Sequence, residues 1–229
     1  MKLIVKKRFN SLVTAGLFSF VCLVSNHALS QDSDTQRAPE IAGTETNSEA
    51  VQSLKQKLEL LKTYTAIFEQ TVVDGQGELV QNASGQLTLK QPNLMIWQVN
   101  EPDENLMVAD GSTLWYSDPF VEQVTAVDQS SSVANNPVVL LTDPENQAWD
   151  AFVISRVDEG FMVSAKEPES QVAQLFLKFD NDTLTALHFV DRQQQTSRLV
   201  FSDIRQNLPI GDEQFVFSVP EGFELDDQR

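Results

Sequence analysis

From Thr63 onward, large apolar side chains recur at every second position for most of the chain, and that period admits extended strands whose two faces differ. Leu87 alternates with Leu89, Met95 with Trp97 and Val99, Phe161 with Val163, Leu175 with Leu177 and Phe179, Leu199 with Phe201, and Phe215 with Phe217. Turn chemistry separates the runs at Asp74-Gly75-Gln76-Gly77, Asp103-Glu104-Asn105, Asp110-Gly111, Glu159-Gly160, Asp180-Asn181-Asp182 and Asp191 to Gln195. Pro92 marks a strand start, because proline lacks the amide that an interior ladder position needs. Gly111 closes a hairpin by supplying a positive φ. An antiparallel sheet of roughly ten or more strands follows, and a sheet of that width curls into a barrel or an incomplete one.

Two places break the period. Val51, Leu54, Leu58 and Leu61 recur at helical spacing while Lys55, Gln56 and Glu59 face outward, and Asn47 or Ser48 can cap the helix so formed. Midway along the chain, the small polar residues 130–136 precede Pro137, Val138, Val139, Leu140 and Leu141, with Trp149 beyond. Pro137 is well placed to begin a helix, and a short apolar helix inserted between strands has to cover an apolar concave surface. Some strands are apolar on both parities: Leu94 and Ile96 stand opposite Met95 and Trp97. Such a strand is covered on both sides or lines a cavity, unless its side chains fill a solid core.

The first residues read as a secretory signal. Lys2, Lys6, Lys7 and Arg8 precede an apolar run over 12–24, and Ala28 and Ser30 suit cleavage before Gln31. The run is short for a retained membrane anchor. Cys22 follows Val21 rather than a small residue, a context unfit for lipidation, so the mature chain lacks cysteine and relies on a packed core. Residues 1–30 are thus assigned to the signal, 31–46 to a polar disordered leader and 47–229 to one folded domain. Removing the signal leaves twelve basic against thirty-three acidic residues, a charge of −21. That surface repels nucleic acid and disfavours anionic membranes; it suits a soluble shuttle, and equally a surface that merely aids solubility.

Catalytic patterns are missing. His188 is the one histidine of the mature chain and lies on a strand with Leu184, Ala186 and Val190, as a structural histidine does. No C-x-x-C, H-E-x-x-H, G-x-S-x-G or phosphate-binding glycine loop occurs. Asp180 and Asp182 resemble the start of a calcium loop, but its glycine and terminal glutamate do not follow, so they read as a turn. Asn82-Ala83-Ser84 and Asn181-Asp182-Thr183 match glycosylation acceptors, triplets that chance often produces. A binding protein without catalytic residues, metal or cofactor is expected.

The run Lys90, Gln91, Pro92, Asn93 and Trp97, followed by Val108-Ala109-Asp110-Gly111, Leu114-Trp115-Tyr116 and Pro119-Phe120-Val121-Glu122-Gln123, resembles the periplasmic outer-membrane lipoprotein carrier proteins, the LolA family. The resemblance extends from the first helix to Val219-Pro220-Glu221-Gly222 and the closing Asp226-Asp227-Gln228-Arg229, leaving out the leader. It implies a mainly β fold with α: an unclosed antiparallel β-barrel of about eleven strands, with a lid formed by the N-terminal helix and central-loop α-helices. It implies a monomeric periplasmic carrier whose hydrophobic cavity shelters the acyl chains of lipoprotein cargo. An inner-membrane ATP-driven releasing transporter would supply that cargo, and a lipid-anchored outer-membrane receptor would accept it.

Met95 and Trp97 match cavity-lining positions of the family, with Leu94 and Ile96 flanking them. Trp115, Phe120, Val138, Val139, Leu140 and Leu141 are further candidates for wall and lid, and Phe68 for the same cavity. The family's arginine before Pro-Asn, which bonds lid backbone in the closed state, is replaced here by Gln91. Glutamine keeps two donors but loses reach and charge, so the lid would close more weakly or be latched elsewhere, unless Gln91 is an ordinary strand residue. The outer-membrane receptor is a weaker reading because Cys22 lacks a lipidation context, and a periplasmic lipid-binding sensor because it needs a further domain. An envelope hydrolase would need paired carboxylates such as Asp110 and Asp118.

Overall fold

The computed structural model describes residues 47–132, 137–168 and 170–229. The expected signal peptide and leader, Cys22 and residues 133–136 lie outside the described residues. Helix α1 (Asn47–Glu59) precedes six strands: β1 (Thr63–Val73), β2 (Leu79–Lys90), β3 (Leu94–Glu101), β4 (Asn105–Asp110), β5 (Thr113–Asp118) and β6 (Gln123–Asp128). A one-turn helix α2 (Gln129–Ser132) and two 3₁₀ segments, Pro137–Thr142 and Gln147–Ala151, fill the middle. Then come β7 (Phe152–Val157), β8 (Gly160–Ala165), β9 (Val172–Asp180), β10 (Thr183–Asp191), β11 (Thr196–Gln206), a 3₁₀ turn at Asp212–Phe215 and β12 (Glu224–Asp227).

All twelve strands form one unclosed sheet, in the order β12-β6-β5-β4-β3-β2-β1-β11-β10-β9-β8-β7. Strand β1 lies in the middle, pairing with β2 on one side and β11 on the other, and so joins two antiparallel meanders. The turn residues act as anticipated: Gly111 takes φ 98° between β4 and β5, and Asn181 takes φ 52° between β9 and β10.

The sheet is strongly curled. Trp97 on β3 and Phe189 on β10 stand four ladder steps apart, about 19 Å in a flat sheet. Their rings are nevertheless 6.4 Å apart between centroids, so the face carrying both is concave. Gly85 on β2 helps this face close up: a Cβ there would collide with the Gln98 carbonyl and the Phe68 ring. Helix α1 packs against β7 and buries Ala50, Leu54 and Leu58, the stripe that its period dictates.

Three expectations are corrected. The central-loop apolar helix is 3₁₀ rather than α: Pro137 and Pro144 bound a six-residue run that contains β-branched Val138 and Val139, too short to repay α-helix nucleation. Phe215 and Phe217 do not form a strand. Phe215 ends a 3₁₀ turn that packs on β3 and β4, whose edges are both already paired, so this segment can only lie across them. The sheet also gains a parallel member, since β12 pairs with β6 in parallel register. Residues 207–223 carry the chain from the end of β11 back to the start of β6, so β12 enters in the same direction as its neighbour.

Candidate functional site

The concave face is apolar and fully covered. Phe68, Leu87, Leu89, Met95 and Trp97 project to it from β1, β2 and β3, with Phe189 and Phe201 from the other meander. Trp97 is the hub: its ring lies 5.3 Å from Phe68 and 6.4 Å from Phe189, and it is only 2 % exposed. Tyr64 meets Phe201 edge-on at 5.7 Å and donates its hydroxyl proton to the Leu184 carbonyl at 2.8 Å. Burial pushes the Tyr64 phenol well above its ordinary pKa, so it remains a neutral donor.

The 3₁₀ segment carrying Val138, Val139, Leu140 and Leu141 packs against β2 and β3, and none of the four exceeds 3 % exposure. The structure therefore brings together Phe68, Met95, Trp97 and Val138 to Leu141, seven of the side chains singled out from sequence.

The other four lie elsewhere. Leu94 and Ile96 alternate with Met95 and Trp97, so they point to the convex face and are half-buried there. Trp115 sits on that same face: it pairs across the ladder with Val108, itself opposite Ile96. Its ring stacks on Phe217 at 5.2 Å and lies beneath the Arg229 guanidinium at 5.1 Å, while Nε1 donates to Asp110 Oδ2 at 2.8 Å. Phe120 occupies the β5–β6 turn and is 88 % exposed, because Pro119 and the Asp118 side chain turn the chain outward there. Alternation separates the first three from the concavity, and the turn removes the fourth.

Gln91 opens the turn between β2 and β3. Its Nε2 donates to the Leu58 carbonyl at 2.7 Å, a second bond on an acceptor at the C-terminus of α1 that also takes the Leu61 amide at 2.9 Å. Lys62 Nζ donates to Gln91 Oε1 at 3.1 Å, and the Gln91 amide donates to the Lys62 carbonyl at 2.9 Å. The latch position is thus joined to the end of α1. Lys57, in the last turn of α1, adds an ion pair to Asp182 at 2.9 Å.

A residue missed in the sequence ties α2 to two turns of the sheet. Gln129, the first residue of α2, is 5 % exposed; its Nε2 donates to the Asn93 carbonyl at 2.8 Å and its Oε1 accepts from the Gly111 amide at 3.0 Å. No periodicity points to it, since it follows the last residue of a strand. Phe189 and Phe201 were more accessible, because the alternation through Leu187 and Leu199 places both rings on the concave side.

The carboxylates considered for hydrolysis are turn caps. Asp110 Oδ1 accepts from the amides of Ser112 and Thr113 and from the Ser112 hydroxyl, while Oδ2 takes the Trp115 proton. Burial pulls its pKa upward, but these hydrogen bonds outweigh that and hold it below the usual carboxylate value. Asp118 Oδ1 accepts from the Phe120 and Val121 amides. Asp110 ends β4 beside the start of β5 and Asp118 ends β5, about 17 Å along that strand, whereas glycosidase carboxylates stand about 5 to 9.5 Å apart. His188 packs its ring 5.2 Å from Phe176; burial, then Arg198 and Lys178, depress its pKa. Among the described residues no cluster of histidine, cysteine or acidic side chains could hold a metal ion, and no helix is long and apolar enough to cross a membrane.

The family profile described as outer membrane lipoprotein carrier protein LolA matches residues 59–218. An outer-membrane lipoprotein carrier protein of Idiomarina loihiensis is 38 % identical over 187 residues, covering 82 % of this chain and 90 % of that protein. A protein of the same name from Aeromonas salmonicida is 34 % identical over 190 residues, covering 82 % of this chain and 94 % of its own length. The solved structure of a LolA superfamily protein from Nitrosomonas europaea aligns with a TM-score of 0.43 at 13 % identity, covering 73 % of this chain and 97 % of that one. With the profile spanning more than half of the chain and these relatives matched over most of their length, the chain belongs to the outer-membrane lipoprotein carrier family.

Proposed function

We propose that this chain is a periplasmic carrier that shelters the acyl chains of lipoproteins on its concave face. It receives them from an ATP-driven transporter in the inner membrane and passes them to a receptor at the outer membrane. The observation that carries this reading is the apolar plug: four consecutive side chains, Val138 to Leu141, are buried on a short 3₁₀ segment that packs against β2 and β3, the latter carrying Met95 and Trp97. Such a plug can move aside for cargo of the same chemistry. The carrier works as a monomer, performs no catalysis and draws on the transporter for energy.

Magnitudes favour exchange over permanent capture. Each buried methylene is worth about 0.8 kcal/mol, so one long acyl chain leaving water gains on the order of 10 kcal/mol. Burying two valines and two leucines gains about 6 to 12 kcal/mol, an upper range because an unfolded reference overstates the area. The plug and one acyl chain are comparable competitors for the concavity. Net affinity is their difference, which lets the cargo leave again.

Gln91 acts as the latch of the α1 half of the lid, through its bond to Leu58. The test is incubation of the purified mature chain with membranes that hold acylated lipoproteins and the releasing transporter. A soluble one-to-one complex of carrier and lipoprotein is expected; lipoprotein remaining in the membrane at every carrier concentration would overturn the reading.

A further inference from the structure

Phe120 is the most exposed large apolar side chain among the described residues, and it is rigidly presented. Asp118 Oδ1 accepts the amides of Phe120 at 2.9 Å and Val121 at 3.4 Å, closing an Asx turn, and Glu122 takes φ 53° to bring the chain back into β6. A second turn adjoins it. The Phe223 amide donates to the Pro220 carbonyl at 3.2 Å, and the Glu224 amide donates to the Glu122 carbonyl at 2.8 Å as β12 begins. The parallel β6–β12 pairing thus sets Leu225 beside the start of β6, next to the turn that carries Phe120 and Val121; all three are exposed, from segments about a hundred residues apart in sequence.

The charges around this apolar tip have one sign. Residues 117–124 and 219–226 contain Asp118, Glu122, Glu221, Glu224 and Asp226 and no lysine or arginine; farther along β12, Asp227 is neutralised by its ion pair with Arg229 at 2.5 Å. We propose that the Phe120 tip docks this carrier to a protein partner whose surface presents an apolar pocket ringed by lysine and arginine. The proposal rests on the carrier reading for the identity of the partner, which is one of the two membrane components that load or unload it.

The physical reasons concern order, charge and place. An aromatic anchor already fixed by its turn gives up little conformational freedom on entering a pocket, and anchors of this kind dominate interface energies. An all-acidic rim steers the tip toward a cationic surface and repels both anionic lipid and a second copy of this chain. The tip lies at the far end of β5 from the Asp110 turn, about 17 Å along the strand. A partner held there leaves the Gln91 and Gln129 contacts of the cover free to break.

The experiment compares the wild-type chain with Phe120→Ser, a change at an exposed position that spares the core. Cargo affinity is measured with a fluorescent acylated peptide. Carrier-concentration curves are recorded for lipoprotein release by the transporter in proteoliposomes and for delivery to the receptor. In at least one of the two reactions, the half-maximal carrier concentration is expected to rise roughly tenfold or more while cargo affinity stays unchanged. Raising salt from about 50 to about 500 mM should weaken the wild type in that same reaction. Unchanged curves in both reactions would overturn the docking site and leave the carrier reading intact. Phe120-dependent co-sedimentation with phosphatidylethanolamine and phosphatidylglycerol vesicles would overturn it in favour of a membrane contact. A wild-type chain inactive in both reactions would remove the carrier reading, and this proposal with it.

Discussion

The side-chain amide of Gln129 donates to the carbonyl of Asn93 at 2.8 Å, two residues from the Gln91 amide that donates to Leu58 at 2.7 Å. One three-residue turn therefore holds two helices, α1 through Gln91 and α2 through Gln129. Asn93 takes φ 63°, a left-handed conformation that asparagine tolerates better than most residues, and its carbonyl is thereby aimed at α2. Two glutamine side chains thus bond at this turn, Gln91 from within it to the end of α1 and Gln129 from α2 to its last carbonyl.

Replacing Gln129 by alanine leaves the Asn93 carbonyl and the Gly111 amide without their buried partner. The loss is expected to be about 1 to 3 kcal/mol, expressed locally as loosening of residues 137–142. Hydrogen exchange checks this: amides of that segment should exchange several-fold faster while those of β1 and β11 stay unchanged. Uniform exchange across the chain would contradict a local role.

Arginine at position 91 does not simply restore a stronger latch. Lys62 Nζ already lies 3.1 Å from Gln91 Oε1, so a guanidinium placed there meets a like charge. Gln91→Arg alone should change acyl affinity little. Combined with Lys62→Gln, it should lower that affinity roughly fivefold by strengthening the closed state through a charge-assisted bond to the Leu58 carbonyl. Titration of both variants with a fluorescent acylated peptide measures the difference, and equal affinities would argue against the latch.

Leu140→Ala separates the plug from an ordinary core. Truncating a fully buried leucine should destabilise the empty protein by about 2 to 5 kcal/mol, read from its urea midpoint. If the segment competes with cargo, the same change should tighten acyl binding, because the closed competitor has been weakened. A core leucine with no such role would show the stability loss without the gain in affinity.

Asp110 ties the β4–β5 turn to pH. Its folded-state pKa lies below the unfolded value, so its contribution is fully present above the unfolded pKa of about 3.9 and is lost as pH falls through the folded value. Asp110→Asn should lower the urea midpoint at neutral pH and flatten its decline below about pH 4. Parallel acid limbs for the two proteins would show that the carboxylate contributes no linkage.

Much of the site could be read from pattern. Met95 and Trp97 are legible as concave-face residues because their parity matches the long alternation of β3, and Val138 to Leu141 because an apolar run between strands has to cover something. Gln91 is legible through the family motif around it. Gln129 is not, since a buried amide that bonds two distant turns leaves no periodic trace. Trp115 and Phe120 share their motif with cavity-facing neighbours, but motif membership says nothing about which face of the sheet a side chain occupies.

Local chemistry was sufficient for the strands, most turns and the amphipathic α1, because period, turn residues and capping act within a few neighbouring positions. That the sheet curls follows from its width, but the degree of curl and the parallel entry of β12 were decided only in three dimensions. Each depends on which edges and faces remain unpaired once the rest of the chain is in place. The concave surface exists because Trp97 and Phe189, 92 positions apart in sequence, pack against each other across five strands, and that contact forms only after both meanders have joined at β1.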